Sequence, residues 1–152
     1  MSLSTRKKYC YEYPRPAVTV DILIVTKSRK RRILLVRRKN QPFAGMWALP
    51  GGFVNMDEAL DDAARRELYE ETGIEAGELE QLHTFGDVAR DPRGRTISVA
   101  YLAEVDARLL KPRAADDAAE VAWYNLTNLP PLAFDHATIL ALAQKWLRRR
   151  MR

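Results

Sequence analysis

Gly51-Gly52-Phe53-Val54-Asn55-Met56-Asp57-Glu58-Ala59-Leu60-Asp61-Asp62-Ala63-Ala64-Arg65-Arg66-Glu67-Leu68-Tyr69-Glu70-Glu71-Thr72-Gly73-Ile74 puts carboxylates where a helix should be apolar. At about 100° per residue, Leu60, Ala63, Ala64 and Leu68 share one arc, and Glu67, Glu70 and Glu71 fall on or beside it. Asp61, Asp62, Arg65 and Tyr69 point toward the opposite side. A buried, unpaired carboxylate costs roughly several kcal/mol, and acids this close together also repel one another. A hard divalent cation with oxygen ligands, Mg²⁺ or Mn²⁺, answers both problems. The competing reading is a solvated acidic face laced by i,i+4 pairs such as Arg66 with Glu70. The glutamates continue the apolar stripe, which weighs against it.

The ends of this helix are written in the sequence. Asn55 or Asp57 is placed to cap its start, with Asn55 and Glu58 at capping-box spacing, and Gly73 supplies a left-handed stop. Leu49-Pro50-Gly51-Gly52 ahead of it is a tight bend without bulky side chains, which lets a main-chain carbonyl approach a metal or a phosphate. Outward from this segment, strands are expected near 17–26, 33–39, 47–49, 51–54, 79–88, 96–105 and 120–124, and helices at 58–72 and 135–149. Asp91-Pro92-Arg93-Gly94 reads as the turn of a hairpin. There is no internal repeat. The pattern supports an α/β chain with a mixed sheet between helices.

With 152 residues, 47% hydrophobic and 30% charged, one catalytic domain over 1–152 is expected, with residues 1–13 as an N-terminal arm. The start lacks a secretory hydrophobic segment, and the apolar stretch 17–25 is broken by Asp21 and too short to span a bilayer. Cys10 has no second cysteine to pair with, so the expectation is a cytoplasmic protein with no membrane association. The net charge of +5 is concentrated at 27–32, 37–39 and 148–150. The first of these reads as a hairpin turn and the last as a helix C-terminus, where cations oppose the dipole, so no nucleic-acid partner is expected. Arg37 and Arg38 end a strand with one side chain on each face, so one of them points into any cleft there and can hold a phosphate.

Gly52, Glu58 and the run Arg66-Glu67-Leu68-Tyr69-Glu70-Glu71-Thr72-Gly73-Ile74 resemble the Nudix box at every defined position. The resemblance implies an α/β/α sandwich and hydrolysis of a nucleoside diphosphate linked to another moiety. It also implies that Glu67, Glu70, Glu71 and the carbonyl of Gly51 are metal ligands, oriented by Glu58 and Arg66. Such chemistry suits phosphoryl transfer, in which charge on the diphosphate must be neutralised and a water activated. Glu70, Glu71 and Glu120 are the candidates for accepting the water's proton, and the sequence does not choose among them. Glu120 resembles a downstream glutamate that many Nudix enzymes bring to the site.

Residues 14–21, 38–47 and 87–99 resemble the short ADP-ribose pyrophosphatases, as found in bifunctional NMN adenylyltransferase/ADP-ribose pyrophosphatases and in sensor domains of regulators of NAD metabolism. Pro92 is the candidate for a proline associated with that activity, at a slightly longer spacing than the marker's. The implied reaction is ADP-ribose and water to AMP and ribose 5-phosphate. Tyr11, Tyr13, Phe43 and Trp47 are then candidate platforms for adenine, with Trp47 also readable as core, and Arg15, Arg93 and Arg95 are candidate phosphate grips. Two alternatives stand beside this one. One is a Nudix hydrolase of another nucleotide, such as an oxidised nucleoside triphosphate or other dinucleotide. The other is a non-catalytic ADP-ribose-sensing module, against which the intact carboxylate set argues. Related enzymes are often homodimers that complete the pocket from the neighbouring subunit, a role open to the Tyr9–Tyr13 segment. His83 and His136 carry no catalytic expectation.

Overall fold

The computed structural model describes residues 9–115 and 117–151, so the first eight positions of the expected arm lie outside it. Its central strand, β1 (Ala17–Thr26), is buried from Thr19 to Thr26, because both of its faces are covered. Val20, Ile22 and Ile24 face one apolar cluster, and Leu23 and Val25 face the other, as the two-residue period of a strand requires. Helix α1 (Leu60–Thr72) contributes Ala63, Ala64 and Leu68 to the first cluster. Helix α2 (His136–Arg150) contributes Ile139, Leu140, Ala143 and Leu147 to the second. The result is the expected α/β/α sandwich.

The remaining strands are β2 (Arg32–Arg38), β3 (Trp47–Ala48), β4 (Gly51–Phe53), β5 (Glu80–Phe85), β6 (Thr96–Val105) and β7 (Ala118–Asn125). β1 pairs in parallel with β6 along its whole length and antiparallel with β2 at Val25↔Ile33. Beyond that pair β1 and β2 diverge. β3 pairs with the far end of β2, β4 pairs with the start of β1, and the Leu49–Pro50 bend joins them across the split. The Ile22 amide anchors the bend by donating to the Pro50 carbonyl at 2.8 Å. The functional cleft opens at this split.

Gly73 ends α1 with φ 69°, as expected of a left-handed cap. The start of the helix differs from expectation. It begins at Leu60, its cap position is Ala59, and no side chain caps it. The Asn55 amide does donate to Glu58 at 2.8 Å, but the same carboxylate also receives Arg66 at 2.9 and 2.6 Å. That double engagement holds residues 55–58 as a loop ahead of the helix. Across the first cluster, Tyr101 is fully buried and donates to Asp61 at 2.7 Å. Burial and then Asp61 push its phenol up to about 12. Among the described residues, no helix is long and apolar enough to cross a membrane.

Candidate active site

A cleft of about 400 Å³ lies over the β1/β2 split, and α1 supplies its acidic wall. Glu67 and Glu71 line it, and Glu70 faces an adjoining recess shared with Glu67, Glu71 and Asp117. Arg66 sits among these acids. Its guanidinium meets Glu58, Glu67 at 2.7 Å, Glu70 at 3.1 Å and the Phe53 carbonyl at 3.0 Å, and Glu58 first, then Glu67, hold it above its ordinary pKa. Burial raises the pKa of Glu67 despite Arg66. Glu71 has no such counter-ion within hydrogen-bond reach among the described residues. It accepts the Gly51 amide at 3.0 Å, and burial pushes it up to about 8.

The floor is the Leu49–Gly51 bend, held by a buried polar network. His136 accepts the Leu49 amide on Nδ1 at 3.0 Å, so its proton is on Nε2, 3.2 Å from Asp21. Ser98 donates to the other oxygen of Asp21. Arg90 lies 3.8 Å from that carboxylate and makes a bidentate pair with Asp135 at 2.9 and 2.6 Å. Every buried side-chain polar atom among the described residues has a partner. His136→Ala is expected to lower unfolding free energy by about 2–4 kcal/mol, because it strands the Leu49 amide and one Asp21 oxygen. His136→Asn is expected to recover part of that loss, and denaturant titration of both variants is the check.

The opposite wall is cationic and aromatic. Arg38 lies over the Phe134 ring at 4.9 Å, and Arg93 lies between Phe134 at 5.1 Å and Phe53 at 4.7 Å. Burial, followed by the neighbouring Arg93, lowers the pKa of Arg38, and the nearby carboxylates of Glu71, Asp117 and Asp91 offset this only in part. Phe134 packs edge-on against Phe43 at 4.8 Å, and both rings sit on left-handed backbone, with φ 52° and 62°. Arg93 is aimed by Asp91, which accepts from its amide and guanidinium at 2.8–3.1 Å.

The cleft therefore gathers Gly51, Gly52, Arg66, Glu67, Glu71, Arg38 and Arg93, with Glu58 behind Arg66 and Phe43 behind Phe134. Other candidates lie elsewhere. Arg37 turns to the far side of β2 and pairs with Glu120 at 2.8 Å, so neither lines the cleft. Arg15 stacks on Tyr11 at 3.9 Å in the N-terminal segment, and Tyr13 is exposed. Trp47 packs in the α2 layer against Tyr124. Pro92 is an exposed turn residue whose neighbours, Asp91 and Arg93, reach the cleft. The Arg95 side chain donates to the Asp87 carbonyl at 3.5 Å and does not line the cleft. Asp21, Arg90, Phe53, Phe134 and His136 line the cleft without having been picked out as site residues. The one signal for them was Asp21 inside an otherwise apolar strand.

The acidic wall fits a hard cation in its chemistry. Glu71 is a half-buried oxygen donor lacking a positive partner within bonding distance among the described residues, and a Cβ on Gly52 would fall 2.5 Å from the Glu67 carboxylate, so glycine leaves that group its space. Among the described residues no three acidic, histidine or cysteine side chains already converge on one point, and Arg66 fills the space between Glu58, Glu67 and Glu70.

The NUDIX domain model matches residues 15–143, and the chain belongs to the Nudix family. It is a Nudix hydrolase with marked similarity to one group of relatives. An ADP-ribose pyrophosphatase of Methanocaldococcus jannaschii is 44% identical over 92% of this chain and 79% of that protein. In two further curated relatives the matched stretch is about half of the relative's length, 54% and 48%. The NUDIX domain of Shewanella oneidensis NrtR, solved with ADP ribose, superposes with a TM-score of 0.82 at 34% identity, covering 89% of this chain and 90% of that one. A bifunctional NMN adenylyltransferase/ADP ribose pyrophosphatase of Francisella tularensis, solved with AMP and a Mn ion, superposes with a TM-score of 0.76 at 34% identity, over 89% of this chain and 43% of that one.

Proposed function

We propose that this chain hydrolyses ADP-ribose to AMP and ribose 5-phosphate with the help of Mg²⁺ or Mn²⁺. The observation that carries the reading is the pairing of walls across one cleft: half-buried carboxylates on α1 face Arg38 and Arg93, which are packed around Phe134. A diphosphate ester needs both walls. The guanidiniums hold its phosphate oxygens, and the phenylalanines offer flat surface to the nucleoside. Glu67, Glu70 and Glu71, with the Gly51 carbonyl, would hold the cation, which supplies charge neutralisation and lowers the pKa of water.

In the reaction a water oxygen bonds to one phosphorus, the bridging P–O bond breaks, and the bridging oxygen leaves with the other phosphate. The water's proton passes to a carboxylate. Glu71 is preferred to Glu120 as the acceptor, because it lies on the cleft, whereas Glu120 is tied to Arg37. The test is AMP release from ADP-ribose with Mg²⁺, ranked by kcat/KM against an oxidised nucleoside triphosphate and other dinucleotides. ADP-ribose is expected to lead. A silent ADP-ribose assay with another nucleotide turned over would transfer the chain to that substrate, and tight ADP-ribose binding without turnover in any divalent metal would make it a sensor. Arg93→Ala is expected to raise KM by about tenfold or more with a smaller change in kcat, since it removes a charge-assisted grip present before the transition state.

A further inference from the structure

The basic clusters at 27–32 and 148–150 read separately in the sequence, but the fold brings them to one cavity. It measures about 540 Å³ and lies between the β1–β2 turn, the end of β7 and the last turn of α2. Arg29, Lys30, Arg31 and Arg148 line it, and among the described residues no acidic side chain does. Arg31 is neutralised by Glu104. Arg29, Lys30 and Arg148 have no ion pair among the described residues, and their charges exceed the roughly half negative charge at a helix C-terminus.

Hydrogen bonds fix the floor of the cavity, and Arg29, Lys30, Asn125, Thr127 and Arg148 are exposed around it. Leu126 donates its amide to Arg31 at 3.1 Å and accepts Gln144 at 2.9 Å, which ties the floor to the turn on one side and to the helix on the other. Leu126 and Leu147 give that floor an apolar surface. The side chains of Asn125 and Thr127 stand at its rim with no hydrogen-bond partner among the described residues. The site is remote from the cleft. The two cavities share no lining residue, and the β1–β2 turn at this one follows Thr26, at the opposite end of β1 from the cleft residues Thr19 and Asp21.

We propose that this cavity binds a small organic phosphate with a hydroxylated body, of the sugar phosphate class. The uncompensated cations take the phosphate, Asn125 and Thr127 take hydroxyls, and the leucines pack against the carbon skeleton. The volume is that of a small-molecule site. A nucleic-acid strand is disfavoured, because sequence-tolerant binding of single strands uses aromatic side chains as stacking platforms and no aromatic residue lines this cavity.

The experiment is an ¹H–¹⁵N NMR titration of the full chain with glucose 6-phosphate, chosen because it is neither substrate nor product of the proposed reaction. Saturable shifts are expected at the amides of Arg31, Leu126 and Thr127, with inorganic phosphate binding at least several-fold more weakly for want of a body. The Lys30→Glu/Arg148→Glu double variant is expected to weaken glucose 6-phosphate by tenfold or more while keeping its spectrum dispersed and its hydrolase activity unchanged. Absence of shifts at those amides, or an unchanged titration in a folded double variant, overturns the proposal. So does an oligouridylate that shifts the same amides when glucose 6-phosphate does not, since it would make the face a nucleic-acid surface.

Discussion

Glu71→Gln is expected to lower kcat by about 10²–10³-fold, the scale for deleting one charge-stabilising group from a phosphoryl or acyl transfer site, without unfolding the protein. The amide keeps an oxygen to accept the Gly51 amide, so the bend is preserved while the negative charge is lost. Glu70→Gln is expected to fall in the same direction, because Glu70 faces the acidic recess beside the cleft. Stability should move the other way. Glu71 is pushed up to about 8 from an ordinary 4.5, so between those values the folded metal-free chain keeps a proton that the unfolded chain has released. Stability of the metal-free wild type therefore falls as pH rises through this window, by an order of magnitude of a few kcal/mol in full. The glutamine variant lacks this titration. In chelator, its melting temperature is expected to exceed that of the wild type at pH 8.5, and the gap to narrow toward pH 5. Near-normal turnover in both variants would contradict the roles assigned to these carboxylates, and a gap independent of pH would contradict the burial of Glu71.

What the sequence made legible is what short-range periodicity encodes. The stripe of Leu60, Ala63, Ala64 and Leu68 fixed which side of α1 is buried, and Glu67, Glu70 and Glu71 followed at i+3 and i+4 spacing. The αL stop at Gly73 and the turn at Asp91–Gly94 are local in the same sense. Contacts between distant segments were not legible. His136 meets Asp21 and Leu49 only because α2 packs behind the β1/β2 split, and nothing near His136 in the chain signals either partner. The fate of Arg37 and Arg38 was half visible: alternation said they would part, but the pairing of β7 with β2 decided that Glu120 takes Arg37 and leaves Arg38 to the cleft. Phe134 carried no signal, since its place in the wall depends on a left-handed residue just ahead of α2. The start of α1 was misplaced because Glu58 reads locally as a capping residue, whereas its carboxylate is engaged by Arg66 eight positions on.

Adjacent glycines in the bend should fail in different ways when given a methyl group. A Cβ on Gly51 would lie 2.1 Å from the Val20 carbonyl oxygen and 3.1 Å from the Asp21 Cα. Both belong to the backbone of β1, which is locked into β6 along its length and cannot retreat. Gly51→Ala is therefore expected to cost about 3 kcal/mol or more, the upper range for overpacking, and to leave little folded protein in urea titrations. A Cβ on Gly52 instead meets the Glu67 carboxylate, with its carbon at 2.5 Å and its oxygens at 2.5 and 2.6 Å. That group is the free end of a side chain and swings aside at small cost. The expected Gly52→Ala protein is folded, within about 1–2 kcal/mol of the wild type, but displaces Glu67 from the cleft and from Arg66. Its kcat should drop by about tenfold to a hundredfold, as when a ligand-orienting contact is lost in a metal enzyme, with KM changed less. A folded Gly52→Ala variant with wild-type kcat would show that the position of Glu67 does not matter to the chemistry. The acidic wall would then be Glu70 and Glu71 alone, and the bend would be needed only to join β3 to β4.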